Sequence, residues 1–274
     1  GTTDLDPNAL GPLGLVVVDG QLTMNSTAIV GTRAGAEIEG ASAVEIHRSL
    51  VADTRESSLG YYVENNYVGV GILVESAAQL LIDGSTIRNT RTAGMIALGQ
   101  TTLNDVLVTG TRAGGDGVGG RALSAQGSSA VAVGASAFME NGETGVLAAE
   151  HAALTISDST IDQTTLDRSG SYGIGIFVGE DDVPASISST TLRQSAGPAI
   201  AVSNAGLSVK ASAIVDNAVG IAVLGQSSLV EGDGNGDPMT VAVSKDTVFA
   251  GNQTRVGSGN IPLPSVLTVP RTGK

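Results

Sequence analysis

Cysteine and tryptophan are absent from this chain of 274 residues, and aromatic side chains make up only 3% of it. Without cysteine there is no disulfide framework, no thiolate nucleophile and no zinc–sulfur site. With so few rings, the stacking platforms that line sugar clefts are scarce. Positive charge is short as well: 14 Lys and Arg face 27 Asp and Glu, giving a formal net charge of −13. Such a field repels phosphate backbones and anionic lipid, so neither nucleic acid nor a membrane surface is an expected partner. Anionic polysaccharide is repelled too unless a cation bridges it. No apolar run reaches the roughly 18 residues of a helical membrane span, because Glu75 interrupts the longest one. The opening GTTDLDPN is acidic and has no Met, unlike a signal peptide, and reads as a mature or excised start.

What the chain does have is small and branched aliphatic residues, 38 glycines, and 41% hydrophobic against 15% charged residues. That is enough apolar material for a core, and its character suits many short strands separated by turns better than helices.

The pentapeptide GTRAG occurs at 31–35 and again at 110–114. It marks a repeat. Phrases such as IDGSTIRNT, ISDSTIDQT and VKASAIVDN share an apolar residue, four residues, a second apolar residue, and then Thr, Ser or Asn three later. Nine copies align. Their first apolar column reads Met24, Ile46, Ile82, Leu103, Val133, Ile156, Ile187, Val209, Val243. The second reads Ile29, Val51, Ile87, Val108, Phe138, Ile161, Leu192, Ile214, Val248. Two positions before the second column stand Thr27, Ser49, Ser85, Val106, Ser136, Ser159, Thr190, Ser212 and Asp246, and three after it stand Thr32 through Asn217 and Gly251. Polar columns kept in register predict ladders between successive turns of one winding chain.

Steps along the second column are 22, 36, 21, 30, 23, 31, 22 and 34 residues, and the shortest suit a coil of three strands and three turns. This pattern resembles the right-handed parallel β-helix of the pectate-lyase-like superfamily. The resemblance implies an all-β solenoid of about nine coils, with a lead-in at 1–13, coils over 14–255 and a cap or tail at 256–274. The GTRAG copies, 79 residues apart, then occupy one corner of coils one and four.

Long and short steps alternate, so the working unit is two coils. The extra residues fall in Arg55–Val68, Gly114–Gly120 and Thr165–Gly173, which leave from one corner, and in Gly225–Met239, which leaves from another. The first of these holds Tyr61, Tyr62 and Tyr67, either a contact surface for sugar or protein or the anchor that folds the loop onto the rod. At the corner after the Thr column stand Arg33, Arg55, Arg91 and Arg112. They read as a basic stripe for a sulfated or uronic polysaccharide, or as salt bridges to the protein's own acids.

Two further groups carry possible chemistry. Stacking of AAEHAALTI on VGEDDVPASI brings Glu150 and His151 toward Glu180, Asp181 and Asp182, an acid–base or metal-ligating set if it is more than acidic surface. Glu231, Asp233, Asn235 and Asp237 resemble the start of a calcium loop, but Pro238 stands where a Gly closes that pattern and no Glu follows at its twelfth position, so a plain turn is the other reading. His47 is expected to be exposed and is assigned nothing.

Many proteins of the resembled superfamily act on polysaccharides, yet their motifs are mostly missing here. Asp181–Asp182 matches the paired Asp of polygalacturonases without the other stretches, and SYGIGIF matches only the Tyr-Gly of alginate epimerases. The expectation is therefore a non-catalytic rigid scaffold, adhesin segment or glycan-binding surface, secreted or on a bacterial cell surface, with a polysaccharide or another surface protein as partner. The alternative is a polysaccharide lyase, hydrolase or epimerase. Open strands at the ends also invite end-to-end self-association unless a segment such as NIPLPSVLTVP at 260–270 caps them.

Overall fold

Coil two shows the plan. Ala36–Glu39, Ala43–His47 and Leu50–Ala52 are three short strands joined by two tight corners. Each pairs in parallel with its equivalents in coils one and three. Repeated nine times from Leu15 to Ala250, with Thr254–Gly257 beginning a tenth turn, this builds a parallel β-helix with three sheets, called I, II and III in chain order. The computed structural model describes residues 13–55, 62–63, 66–67, 69–114, 117–232, 238–258, 261–264 and 267. Strands 174–188 and 198–210 run unbroken through the corner between sheets I and II. At about 4.8 Å per coil the rod is on the order of 40 Å long.

The core is the shaft inside. Ile46, Ile82, Leu103, Val133, Ile156 and Val209 line it from sheet II, and Val51, Ile87, Val108, Phe138, Ile161, Leu192 and Ile214 line it from sheet III. Both columns are paired residue for residue in the parallel register.

The corners explain the polar columns. The residue leading from sheet II to sheet III is left-handed in eight coils, with φ between 46° and 55° at Ser26, Arg48, Gly84, Asp105, Ala135, Asp158, Ser189 and Ala211. Side chains there cost about 1 kcal/mol each, so something must offset the strain. The next residue does so. Ser49 Oγ donates to His47 O at 2.8 Å and accepts from Thr27 N at 3.1 Å in the coil before. Ser136 and Ser212 repeat the arrangement. The ladder thus runs mainly from hydroxyl to main chain; a hydroxyl–hydroxyl contact is made by Thr90 and Thr111, 3.0 Å apart.

The ninth coil corrects the register expected from sequence. Phe249, not Val248, pairs with Ile214, and Val248 is 56% exposed. Val209 and Ile214 are separated by four residues but Val243 and Phe249 by five, the added residue being absorbed in a turn closed by Thr247 N donating to Ser244 O at 3.1 Å. The shift replaces Asp246 by Thr247 and Gly251 by Asn252 in the polar columns. Asn252 Oδ1 duly accepts from Asn217 N at 3.0 Å.

Outside the shaft the sheets differ. Sheet II alternates, as in Gln100–Asn104, where exposed and buried residues take turns. In sheet I, Ala93–Ala97, Arg121–Ala125 and Thr144–Ala149 are buried throughout. From coil three on, its outer face is mostly apolar and covered: Leu267 packs with Val70, Leu73 and Ile96, and Ile261 with Leu147, Phe177 and Ala222. Turning the Gln126 carboxamide places its nitrogen 2.8 Å from Leu267 O and its oxygen 3.3 Å from Leu267 N. The described part of the segment expected to cap the end therefore runs back along the flank of the rod, from coils six to nine toward coils three to five.

The insertion at Gly225–Met239 also behaves unlike the other three. Its strand Ser228–Glu231 pairs with Thr240–Val243 on the side away from Val209, and so adds a further layer to sheet II.

Candidate functional site

The exposed face of sheet II in coils one to four carries three rows of side chains set by the parallel register. Gln21, Ala43, Gln79 and Gln100 form one; Thr23, Glu45, Leu81 and Thr102 the next; Asn25, His47, Asp83 and Asn104 the third. Alternation along each strand sends these outward because their neighbours Val44, Ile46, Leu80 and Ile82 fill the shaft. Ala43 is short, and between longer neighbours it leaves an open depression of about 440 Å³, bordered by Gln21, Gln79, Gln100, Thr23, Thr102 and Glu45.

The third row is cross-linked. His47 Nε2 lies 3.4 Å from Glu45 Oε2 and Nδ1 lies 3.9 Å from Asp83 Oδ2. Asn104 Nδ2 donates to Asp83 Oδ1 at 2.8 Å. An imidazole between two carboxylates, with its side chain 24% exposed, is held in place and open to solvent. Such an imidazole can exchange a proton with a bound ligand.

The residues singled out from sequence lie elsewhere. Arg91 and Arg112 face each other in a parallel bridge on the corner between sheets III and I, beside Asp53, Asn89 and Glu140. Arg55 Nε donates to Gly31 O at 3.1 Å, and Arg112 Nη1 donates to Thr111 O at 3.2 Å and to Glu140 O. Arg33 is half-buried, with its carbonyl accepting from Gly69 N. The Arg55 and Arg112 guanidiniums thus tie neighbouring coils to one another through main-chain carbonyls, whereas Arg33 Nε is buried without a partner among the described residues.

Pairing of Ala149 with Gly179 puts Glu150 and Glu180 at equivalent left-handed corners of coils six and seven, both exposed, with φ of 60° and 51°. His151 is exposed beside Glu150. Asp181 pairs through its backbone with Ala205, and Asp182 follows it in the same strand. Among the described residues no three His, Asp or Glu side chains converge as a metal site. Tyr62 and Tyr67 are opposite each other in a two-residue antiparallel hairpin, while Tyr61 lies outside the described residues. So do Asp233, Asn235 and Asp237; Glu231 is described and pairs with Arg255 at 3.0 Å.

Two arrangements went unread in the sequence. The row Asn25, His47, Asp83, Asn104 sits one residue after the first apolar column, and reading that column would have found it. The other is a buried ion pair, Arg121 Nε and Nη2 each 2.8 Å from Glu143. Its signal was one charged residue at the start of each of two successive apolar stretches, Arg121 opening the strand 121–125 and Glu143 standing just before Thr144–Ala149. Nearby, burial, reinforced by the Glu143 and Asp167 carboxylates, raises the Tyr172 hydroxyl above the usual tyrosine range.

No family model matches this chain, and no curated protein matches it. Solved structures do. A pectate lyase shares 10% identity at a TM-score of 0.48, over 88% of this chain and 70% of that one. The A-module of an Azotobacter vinelandii mannuronan C-5 epimerase shares 11% identity at a TM-score of 0.38, over 92% of this chain and 81% of that one. Identity and superposition at this level carry no activity across. By the pairing of its own strands, the chain is, over its described residues, an all-β parallel β-helix of nine coils that builds three sheets.

Proposed function

We propose that this protein is a glycan-binding β-helix, secreted or displayed at a cell surface, which holds its ligand on the open face of sheet II without cleaving it. The depression over Ala43 carries the reading. Its border of three glutamines and two threonines offers donors and acceptors on adjacent coils, which suits sugar hydroxyls that need both. Leu81 supplies a small apolar contact in the same depression. With no aromatic ring in its lining, each contact is weak, and repeated engagement along a polymer supplies the avidity. The Arg33, Arg55, Arg91 and Arg112 corner and the Tyr61, Tyr62, Tyr67 loop are second contact candidates, for polysaccharide or for another surface protein. A calcium ion at Glu231, Asp233, Asn235 and Asp237 is a further candidate.

Titration with a panel of neutral and uronic oligosaccharides, followed by calorimetry and by chromatography of the products, tests the reading. Binding weakened at least fivefold by Gln79→Ala, with the oligosaccharides recovered intact, is the expected result. One observation favours the enzymatic alternative: His47 stands between Glu45 and Asp83. Chain cleavage abolished by His47→Gln, or by Asp182→Asn in the Glu150, His151, Glu180, Asp181 region, would overturn the non-catalytic reading.

A further inference from the structure

Immediately past His47 the chain turns the corner into sheet III, and a second depression of about 470 Å³ opens there. It is lined by Arg48 and Arg88 together with Ser26, Thr27, Ser49 and Thr86. Arg48 occupies the left-handed corner of coil two, and Arg88 projects from the outer face of sheet III in coil three. Gly84 stands between them at the corner of coil three. A Cβ there would be 3.5 Å from Arg48 Cγ and 3.9 Å from Asp105 Oδ2, so any longer side chain would begin to close the space.

The two guanidiniums share one open space, which is what sets them apart here. Arg121, Arg193 and Arg255 are each paired with a carboxylate, and Arg55 and Arg112 donate to main-chain carbonyls. Among the described residues, Arg48 and Arg88 have neither kind of partner, although the chain holds 27 acidic residues against 14 basic ones. Both are exposed. The hydroxyls of Ser49 and Thr27 are committed to main-chain carbonyls, whereas those of Ser26 and Thr86 have no partner among the described residues. Two planar cations and two free hydroxyls around one open space are the donor set that an oxyanion takes.

We propose that this corner is an oxyanion subsite for a sulfate or phosphate monoester carried singly on an otherwise neutral glycan. The proposal rests on the glycan reading of the adjoining groove, which it deepens. Glu45 and Arg48 are three residues apart, about 10 Å along the chain, so a ligand lying across sheet II reaches the corner. The net charge of −13 argues for a single charge rather than a polyanion, because the long-range field opposes each added charge while the local pair satisfies one. The Asp105 carboxylate, 3.9 Å from where a Gly84 Cβ would stand, adds local negative charge that also disfavours a polyanion.

The test uses the full chain, isotopically labelled, with resonances followed by NMR at low salt. Probes are potassium sulfate, potassium phosphate, glucose 6-sulfate, glucose 6-phosphate and glucose. Saturable shifts at Gly84, Thr86 and the Arg48 and Arg88 side-chain N–H groups are expected with an ester and not with glucose. Arg48→Gln and Arg88→Gln should each weaken that binding at least fivefold while leaving the remaining spectrum in place. Preference between the two esters identifies the source of the oxyanion. Absence of saturation with all four anions, or binding unmoved by both substitutions, overturns the subsite. Gln79→Ala separates it from the groove: it should leave the sulfate titration unchanged. Anion binding at the corner with no oligosaccharide bound in the groove would sink the glycan reading and leave the oxyanion site standing.

Discussion

Sheets I and II belong to the same coils, share the same shaft and follow one another in the chain, yet their outer faces are opposites. Sheet II turns Gln, Thr, Asn and Ser to solvent in strict alternation. Sheet I turns Leu73, Ile96, Leu147 and Phe177 outward, all 4% exposed or less, beneath a tail that reaches them through Ile261 and Leu267. A parallel sheet covered on both faces loses its period of two and reads as a continuous apolar run. An open one keeps its period and is free to bind. The covered flank therefore stabilises the rod, and the bare flank is available for a ligand.

The sharpest way to break this contrast is to remove the tail after Gly257. Large aliphatic and aromatic side chains are worth about 1.5–3 kcal/mol each when buried, so re-exposing several should cost on the order of 5 kcal/mol, read as a lower denaturation midpoint with binding of a hydrophobic dye. Gln21→Ala, Gln79→Ala and Gln100→Ala together on sheet II should stay within about 1 kcal/mol of the parent. Equal losses from the two changes would erase the distinction between the faces.

Glu143→Gln comes next. It leaves the Arg121 guanidinium, 1% exposed, without its bidentate partner, at an expected cost of about 3–5 kcal/mol in chemical denaturation. Smaller again is the ninth coil, where Phe249→Ala should cost about 2–3 kcal/mol and Val248→Ala less than about 0.5 kcal/mol. The reverse order would restore the register expected from sequence.

The smallest effect is electrostatic. Burial, with the Glu75 carboxylate adding to it, raises the Glu39 carboxyl above 4.5. The folded chain then holds this proton more tightly than the unfolded one, so its contribution is full below pH 4.5 and is lost as pH rises through the raised folded value. Glu39→Gln should lift the melting temperature slightly at pH 7 and leave it unchanged near pH 4, because the group is only partly buried and screened. A larger gain at acid pH would contradict the assignment.

The shaft was legible from sequence because a solenoid repeats its local problem. Ile46, Ile82, Leu103 and Val133 each pair with the equivalent residue of the coil before and of the coil after, so each needs the same residue type. The hydroxyls of Ser49, Ser136 and Ser212 were legible for a like reason, although their partners, the main-chain groups of a left-handed corner, were not. The groove was harder to see. Ala43 matters only because Gln21 and Gln79 stand on either side of it, and those two are 58 residues apart in the chain. Arg48 and Arg88 were passed over because neither falls in the corner column that drew attention to Arg33, Arg55, Arg91 and Arg112.

By itself, then, the sequence determined the coil: nine turns, two apolar columns and the polar corners between strands, all consequences of neighbours separated by one repeat. Tertiary structure alone decided which flank is covered, where the tail lies, which way the ninth coil shifts, and which arginines remain unpaired. Those outcomes depend on contacts between residues tens to nearly two hundred positions apart, such as Leu267 on Leu73, and no local period records them.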